Sequence, residues 1–287
     1  MKQFLMTLMM FVILTAAAQP VWAAKNAGSI QVKGSDTMVN LVQGWAEKYT
    51  EKEPEAFIAV TGGGSGTGLA ALINGTTDIA VSSREIKAQE KEMASKKGIE
   101  AREIQVARDG LAVVVHPSNP VSHLTMDQLA DIFSGKVTNW TAVGGQDEPI
   151  TILSREVNSG THVYFKEHVL RKGDSKSTAE FSPDALLLSS SQAIADEVKS
   201  NKGAIGYYGM GYISPDQKAL LVAKDASSQP EPPTEEHVIK GDYPISRPLY
   251  FYVSGEGSPE LKKFLEYILS PEGQSVVSEM DFVPIKK

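Results

Sequence analysis

Three times in this sequence a short apolar run ends in a turn of glycine and hydroxyl residues, and a helix-periodic segment follows. The turns are Gly34-Ser35-Asp36-Thr37, Gly62-Gly63-Gly64-Ser65-Gly66-Thr67-Gly68 and Asn158-Ser159-Gly160-Thr161; the last two share the tripeptide Ser-Gly-Thr. Strand, turn and helix repeated in that order build α/β units with a mainly parallel sheet. The same turns constrain function. A helix start leaves backbone N–H groups unpaired and carries partial positive charge. Glycine lets an anion approach those groups, and hydroxyls add donors. Three such turns converging on one point would cage an oxyanion with largely neutral donors.

The periodicity places the turns in order. Ser29–Val32 reads as a strand, and Val39, Val42, Trp45, Ala46 and Tyr49 as one apolar helical face. Phe57–Val60 is a strand entering the glycine loop, and Leu69–Ile73 begins a short helix. Asp78–Val81 is a strand entering Ser82-Ser83-Arg84. A charged helix covers Lys87–Lys97, with strands at Glu103–Val106 and Leu111–His116. The prolines of the 116–120 segment read as a stiff crossing to a second α/β block. That block carries helices at Met126–Phe133, Thr161–Leu170 and Gln192–Lys199, and strands at Ile150–Leu153 and Ala204–Tyr208. Residues 226–248, rich in Pro, Ser and charge, read as loop. A strand at Leu249–Val253 and an amphipathic helix at Glu260–Leu269 close the pattern.

A chain of 287 residues can bury two cores. Its formal charge of −7 argues against nucleic acid as partner, and any anion site must work against the global field. Lys2, the apolar run from Phe4 to Ala18 and Val21-Trp22-Ala23 read as a secretory signal peptide, residues 1–23, cut after Ala23. With no cysteine there is neither a disulfide nor a thiol to carry lipid, so the expectation is a soluble periplasmic protein. The five histidines show no metal-ligand spacing, and no metal or cofactor is expected.

The candidate anion ligands follow from chemistry. Arg155 follows a buried-looking strand and sits four residues before Ser159, where a planar guanidinium can grip two oxygens. Ser159, Gly160 and Thr161 add N–H and hydroxyl donors. The glycine-dense loop offers Ser65 and Gly66, with Thr67 as a further candidate; the first turn offers Ser35 and Thr37. The P-loop and hydrolase-elbow patterns fail in the glycine loop, and the dinucleotide match is weak. Asp78 stands out. A carboxylate beside an anion repels it unless the ligand donates a proton, which phosphate carries at neutral pH and sulfate does not. Asp78 is therefore expected to read that proton. Arg84, after Ser83, is expected either to neutralise Asp78, to close over the ligand, or to lie at the surface.

Together Gly34–Thr37, Gly62–Gly68, Asp78-Ile79-Ala80 with Ser83-Arg84, Arg155 with Ser159-Gly160-Thr161, Ala204–Tyr207 and Ser270–Gln274 resemble the periplasmic phosphate-binding proteins of ABC importers. The resemblance spans nearly the whole mature chain. It implies a bilobal α/β fold of type II periplasmic binding proteins, with lobe I at 24–114 plus 245–287 and lobe II at 115–244. It implies phosphate in the cleft, held by Ser65 and Asp78 from one lobe and by Arg155, Ser159, Gly160 and Thr161 from the other. It also implies membrane permease subunits as partners, a monomer and no enzyme activity. The first turn departs from the best-known members, which carry Thr-Phe where this chain has Asp36-Thr37; Asp36 is expected to cap its helix, facing away from the ligand, and it stands with Thr67, Ser83 and Arg84 as a further candidate ligand rather than a primary one. The rival readings are a receptor for sulfate, molybdate or tungstate, a secreted phosphatase-like hydrolase, and an adhesive surface protein.

Overall fold

The computed structural model describes residues 29–285; the expected leader lies outside them. Strand β1 (Ser29–Gly34) leads through the first turn into helix α1 (Val39–Lys52), and β2 (Phe57–Thr61) through the glycine loop into α2 (Ser65–Ile73). Then come β3 (Ile79–Ser82), α3 (Ala88–Lys96) and the long β4 (Ala101–Val115). The second block holds β5 (His123–Thr125), α4 (Met126–Phe133), β6 (Thr151–Arg155) and α5 (Gly160–Phe165), which runs on into a π turn at Lys166–Leu170. It continues through β7 (Leu186–Leu188), α6 (Ser191–Ser200), β8 (Ala204–Gly209), β9 (Lys218–Ala219), β10 (Leu221–Ala223) and α7 (Glu235–Lys240). The chain returns along β11 (Ser246–Ser254) and ends in α8 (Pro259–Leu269) and α9 (Pro271–Glu279).

One sheet threads both blocks in the order β2-β1-β3-β11-β4-β8-β6-β7, with β9 against β4 and a separate β5–β10 pair. The wings β2-β1-β3 and β8-β6-β7 are parallel, as expected. The centre is not: β11 and β4 run antiparallel to their neighbours, so the sheet is mixed. Strand β4 pairs with β11 as far as Gly110 and with β8 from Leu111 onward. The chain therefore crosses between lobes inside β4, not in the 116–120 segment. The expected boundary at 114/115 falls a few residues late, because Leu111 and Val113 already pack in the second core.

The two largest of four buried apolar clusters among the described residues flank that crossing. The first gathers Ile30, Leu41, Trp45, Phe251 and Phe264; the second gathers Phe133, Trp140, Phe165, Tyr207 and Val222. Helix α1 forms where expected: Val42 and Trp45 are fully buried, and the Trp45 indole N–H donates to the Gly273 carbonyl at 2.6 Å. Residues 226–248 are not simple loop. Glu231 exchanges backbone hydrogen bonds with Val222, α7 forms, and Val238, Tyr243 and Ile245 are buried in the second core. Proline and charge hid this packing from a composition argument.

Candidate functional site

In open α/β sheets ligands bind beyond the carboxyl ends of parallel strands. Here β1 ends just before Ser35, β3 just before Ser83 and β6 at Arg155, one from the first lobe's centre, one beside it, and one from the second lobe. Their turns meet in a set of buried hydroxyls. Ser35 Oγ donates to Ser83 Oγ at 3.0 Å, and Ser83 Oγ lies 3.4 Å from Ser65 Oγ. The Ser83 N–H donates to Ser65 Oγ at 3.1 Å. Across the lobes, Thr37 and Thr161 hydroxyls are 2.8 Å apart. All five side chains are buried, and Ser65, Ser83 and Thr161 completely so.

Gly160 is what lets the lobes come this close. A Cβ there would stand 2.2 Å from Ser65 Oγ and 2.7 Å from Ser83 Oγ. No real side-chain carbon sits at such distances, so only glycine permits the approach. Ser159 caps α5: its hydroxyl accepts from the N–H groups of Thr161 (3.2 Å) and His162 (3.4 Å). The Thr161 N–H, expected to be an anion donor, is thus already engaged.

Arg155 is almost fully buried. Its Nη1 donates to Ser191 Oγ at 2.9 Å and its Nη2 to the Ser189 carbonyl at 3.0 Å, while Nε has no partner among the described residues. Nη2 also pairs with Asp36 Oδ2 at 3.1 Å. Burial depresses the Arg155 pKa, and Asp36 acts in the opposite direction. Asp36 does not cap its own helix. The Oδ2 atom accepts from the N–H and hydroxyl of Ser191 across the cleft (2.8 and 3.0 Å), and no described hydrogen bond uses Oδ1. The expectation that Asp36 faces away is corrected: it stands between Ser35 and Thr37 and turns toward the other lobe.

Asp78 is not part of this cluster. It precedes β3, so the whole strand separates it from Ser83, roughly 16 Å at ~3.3 Å per residue. Its carboxylate accepts the Gln31 N–H at 2.8 Å and its own N–H donates to the Gln31 carbonyl, which extends the β1–β3 ladder. Asp78 stands at the start of its strand, as the sequence placed it, and the expectation that it reads the ligand's proton is corrected, because the ligand end of that strand is the Ser83 end. Arg84 does not reach Asp78 either. It makes a two-pronged pair with Glu90 at 2.7 and 2.8 Å, buried beside the helix α3 start. The Thr67 hydroxyl donates to the Gly63 carbonyl at 2.8 Å, at the rim rather than in the hydroxyl cluster. Ser65, Ser35, Thr37, Ser83, Gly160 and Thr161 are brought together; Gly66 meets the other lobe through its N–H, at the Asn158 carbonyl.

Sequence reasoning missed the support beneath. Asp109 and Arg247 form a fully buried pair, Nε and Nη2 donating to Oδ2 at 3.0 and 2.8 Å. Arg247 Nη1 also donates to the Ser83 carbonyl at 3.0 Å, which fixes the serine at the centre of the site. Burial pushes the Asp109 carboxyl up, against the pull of Arg247. Neither residue carried a motif: Asp109 fell between the two expected strands, and Arg247-Pro248 lay in the segment assigned to loop.

Residues 22–272 match the PBP superfamily domain. The phosphate-binding protein PstS of Bacillus subtilis strain 168 is 35% identical over 265 residues, covering 91% of this chain and 82% of that protein. The chain belongs to the PstS family of the PBP superfamily. PstS of Pseudomonas aeruginosa PAO1 is 33% identical over 276 residues, 90% of this chain and 84% of that protein. Among solved structures, a putative phosphate ABC transporter substrate-binding protein of Clostridium perfringens with bound phosphate is 31% identical. It superposes with a TM-score of 0.81 over 90% of this chain and all of its own. A high-affinity periplasmic phosphate-binding protein, PfluDING, shares only 16% identity at a TM-score of 0.76, over 89% of this chain and 90% of that one; that likeness is one of fold alone.

Proposed function

We propose that this PstS-family chain binds inorganic phosphate between its lobes and hands it to the membrane permease of an ABC importer. The supporting observation is the meeting of hydroxyls from both lobes over Gly160 at the carboxyl ends of β1, β3 and β6. Ser35, Thr37, Ser65 and Ser83 serve from lobe I, and Arg155, Ser159, Gly160 and Thr161 from lobe II. These groups are donors, and no nucleophile is paired with a general base among them, so binding without a chemical step fits best. The chain acts as a soluble, exported monomer whose lobes close on the ligand and reopen on the permease.

Selectivity needs an acceptor for the phosphate proton, and Asp36 takes that role in place of Asp78. Its Oδ2 is tied to Ser191 and Arg155, which leaves Oδ1 for the ligand. A charge-assisted hydrogen bond of this kind contributes roughly 1.5–3 kcal/mol, and sulfate, lacking the proton, meets the carboxylate as an unrelieved like charge. Equilibrium dialysis of the phosphate-stripped mature chain against radiolabelled phosphate tests the reading. One phosphate per chain, displaced by cold phosphate and poorly by sulfate or molybdate, is the expected result. Retention of sulfate or molybdate in its place assigns the cleft to another oxyanion.

A further inference from the structure

We infer that Asn158 is a positioning residue that holds the cleft shut over its ligand without touching it. The inference rests on the phosphate reading above for its ligand, and on cross-lobe geometry for its mechanism. Asn158 sits at the tip of the loop between β6 and α5, immediately before the Ser159 cap. Its backbone carbonyl accepts the Gly66 N–H at 3.0 Å. Its side-chain Nδ2 donates to the Gly63 carbonyl at 2.9 Å and to Thr67 Oγ1 at 3.3 Å. One residue of the second lobe thus makes three hydrogen bonds to the glycine loop of the first. The loop behind it is braced by the Glu156 N–H on the Leu188 carbonyl and the Ser159 N–H on the Glu156 carbonyl.

The glycine density of residues 62–68 has its explanation here. Gly64 has φ +96°, and a Cβ on it would lie 2.8 Å from the Asn158 carbonyl oxygen. A Cβ on Gly66 would lie 3.3 Å from the same atom. The loop is bare where Asn158 lands. The expectation that these glycines serve an approaching anion is thereby replaced, for Gly64, by the approach of another loop. The contacts lie at the rim, outside the buried hydroxyls, and exist only while the lobes are together. An interaction made in one state alone shifts the population toward that state. Here it slows release, because leaving the cleft requires the three bonds to break first. Selectivity, set by the hydroxyls and Asp36, is untouched.

The test uses Asn158→Ala and Asn158→Asp in the mature chain. Because the chain has no cysteine, Lys96→Cys and Asp127→Cys on exposed positions of the two lobes accept spin labels site-specifically. Stopped-flow release of phosphate is expected to quicken about tenfold in Asn158→Ala, the worth of one to two exposed hydrogen bonds. The association rate and the phosphate-to-sulfate ratio are expected to stay within about twofold, since such changes act mainly on dissociation. Asn158→Asp is expected to release faster still, because it sets a carboxylate against the Gly63 carbonyl. Both variants lengthen the label-to-label distance. A release rate and distance equal to wild type overturn the latch, as does a loss of selectivity in step with affinity. If wild type binds no phosphate, the functional reading fails, and the label distance in the ligand-free variants still decides the latch.

Discussion

At the scale of single residues, two positions carry the account in opposite ways. Gly160→Ala adds one carbon against Ser65 and Ser83, whose hydroxyl oxygens lie 2.2 and 2.7 Å from it. The lobes must separate, so phosphate affinity is expected to fall at least about a hundredfold, while urea unfolding changes by less than about 1 kcal/mol. Calorimetry with parallel unfolding curves reads both. Asp78→Ala is expected to do the reverse. It strips the Gln31 N–H of its carboxylate partner, costs about 1–3 kcal/mol of stability and leaves phosphate affinity within about threefold. The sequence announced both residues but distinguished them poorly. Small residues with hydroxyls are visible in a string of letters; which end of a four-residue strand faces the ligand is not. Ser83, at the centre of the cluster, entered the sequence reading only beside Arg84 and as a secondary candidate. Its role comes from strand direction and from the Arg247 hydrogen bond to its carbonyl, a contact between residues distant in sequence.

Among the elements, β4 and β11 do what a pair of separate strands could not. Read from the sequence, β4 was two strands, Glu103–Val106 and Leu111–His116, with residues 107–110 between them, a gap that holds Asp109 and Gly110, residue types common in turns. Burial of Asp109 against Arg247 keeps it one strand, continuous through both lobes. Asp109→Ala leaves the Arg247 guanidinium buried without its counter-charge, and a loss of about 3–5 kcal/mol in urea unfolding is expected. Helix α5 supplies a pH signature. His162, buried against Phe181 and 3.3 Å from the Ser154 hydroxyl, has its pKa lowered to about 4, by burial first and by Lys166 second. The folded chain therefore favours the neutral ring, and between pH 4 and 6.5 the unfolded chain binds more protons. This contribution is whole above pH 6.5 and is lost as pH falls toward 4, about 2 kcal/mol between pH 7 and 5. Urea midpoints at the two pH values measure it, and His162→Gln is expected to flatten the difference.

Over the whole molecule, the alternation of strands and helices made the α/β architecture legible, and the order of turns made the family legible. The crossing between lobes was not, since it depends on two antiparallel strands handing over inside a sheet, and 116–120 merely carried prolines. Nor were the contacts that join the lobes: Asp36 to Arg155 and Ser191, Thr37 to Thr161, and Asn158 to the glycine loop all link residues about 90 or more positions apart. These contacts are where closure and ligand reading are coupled. The central claim is that the cleft takes phosphate and that a carboxylate on the first turn recognises its proton. The most direct test is calorimetry of phosphate and sulfate on the stripped wild type, Asp36→Asn and Asp78→Asn at neutral pH. The account predicts strong preference for phosphate in wild type, the same preference in Asp78→Asn, and a preference reduced at least about tenfold in Asp36→Asn. Undiminished preference in Asp36→Asn, or preference lost in Asp78→Asn, contradicts it.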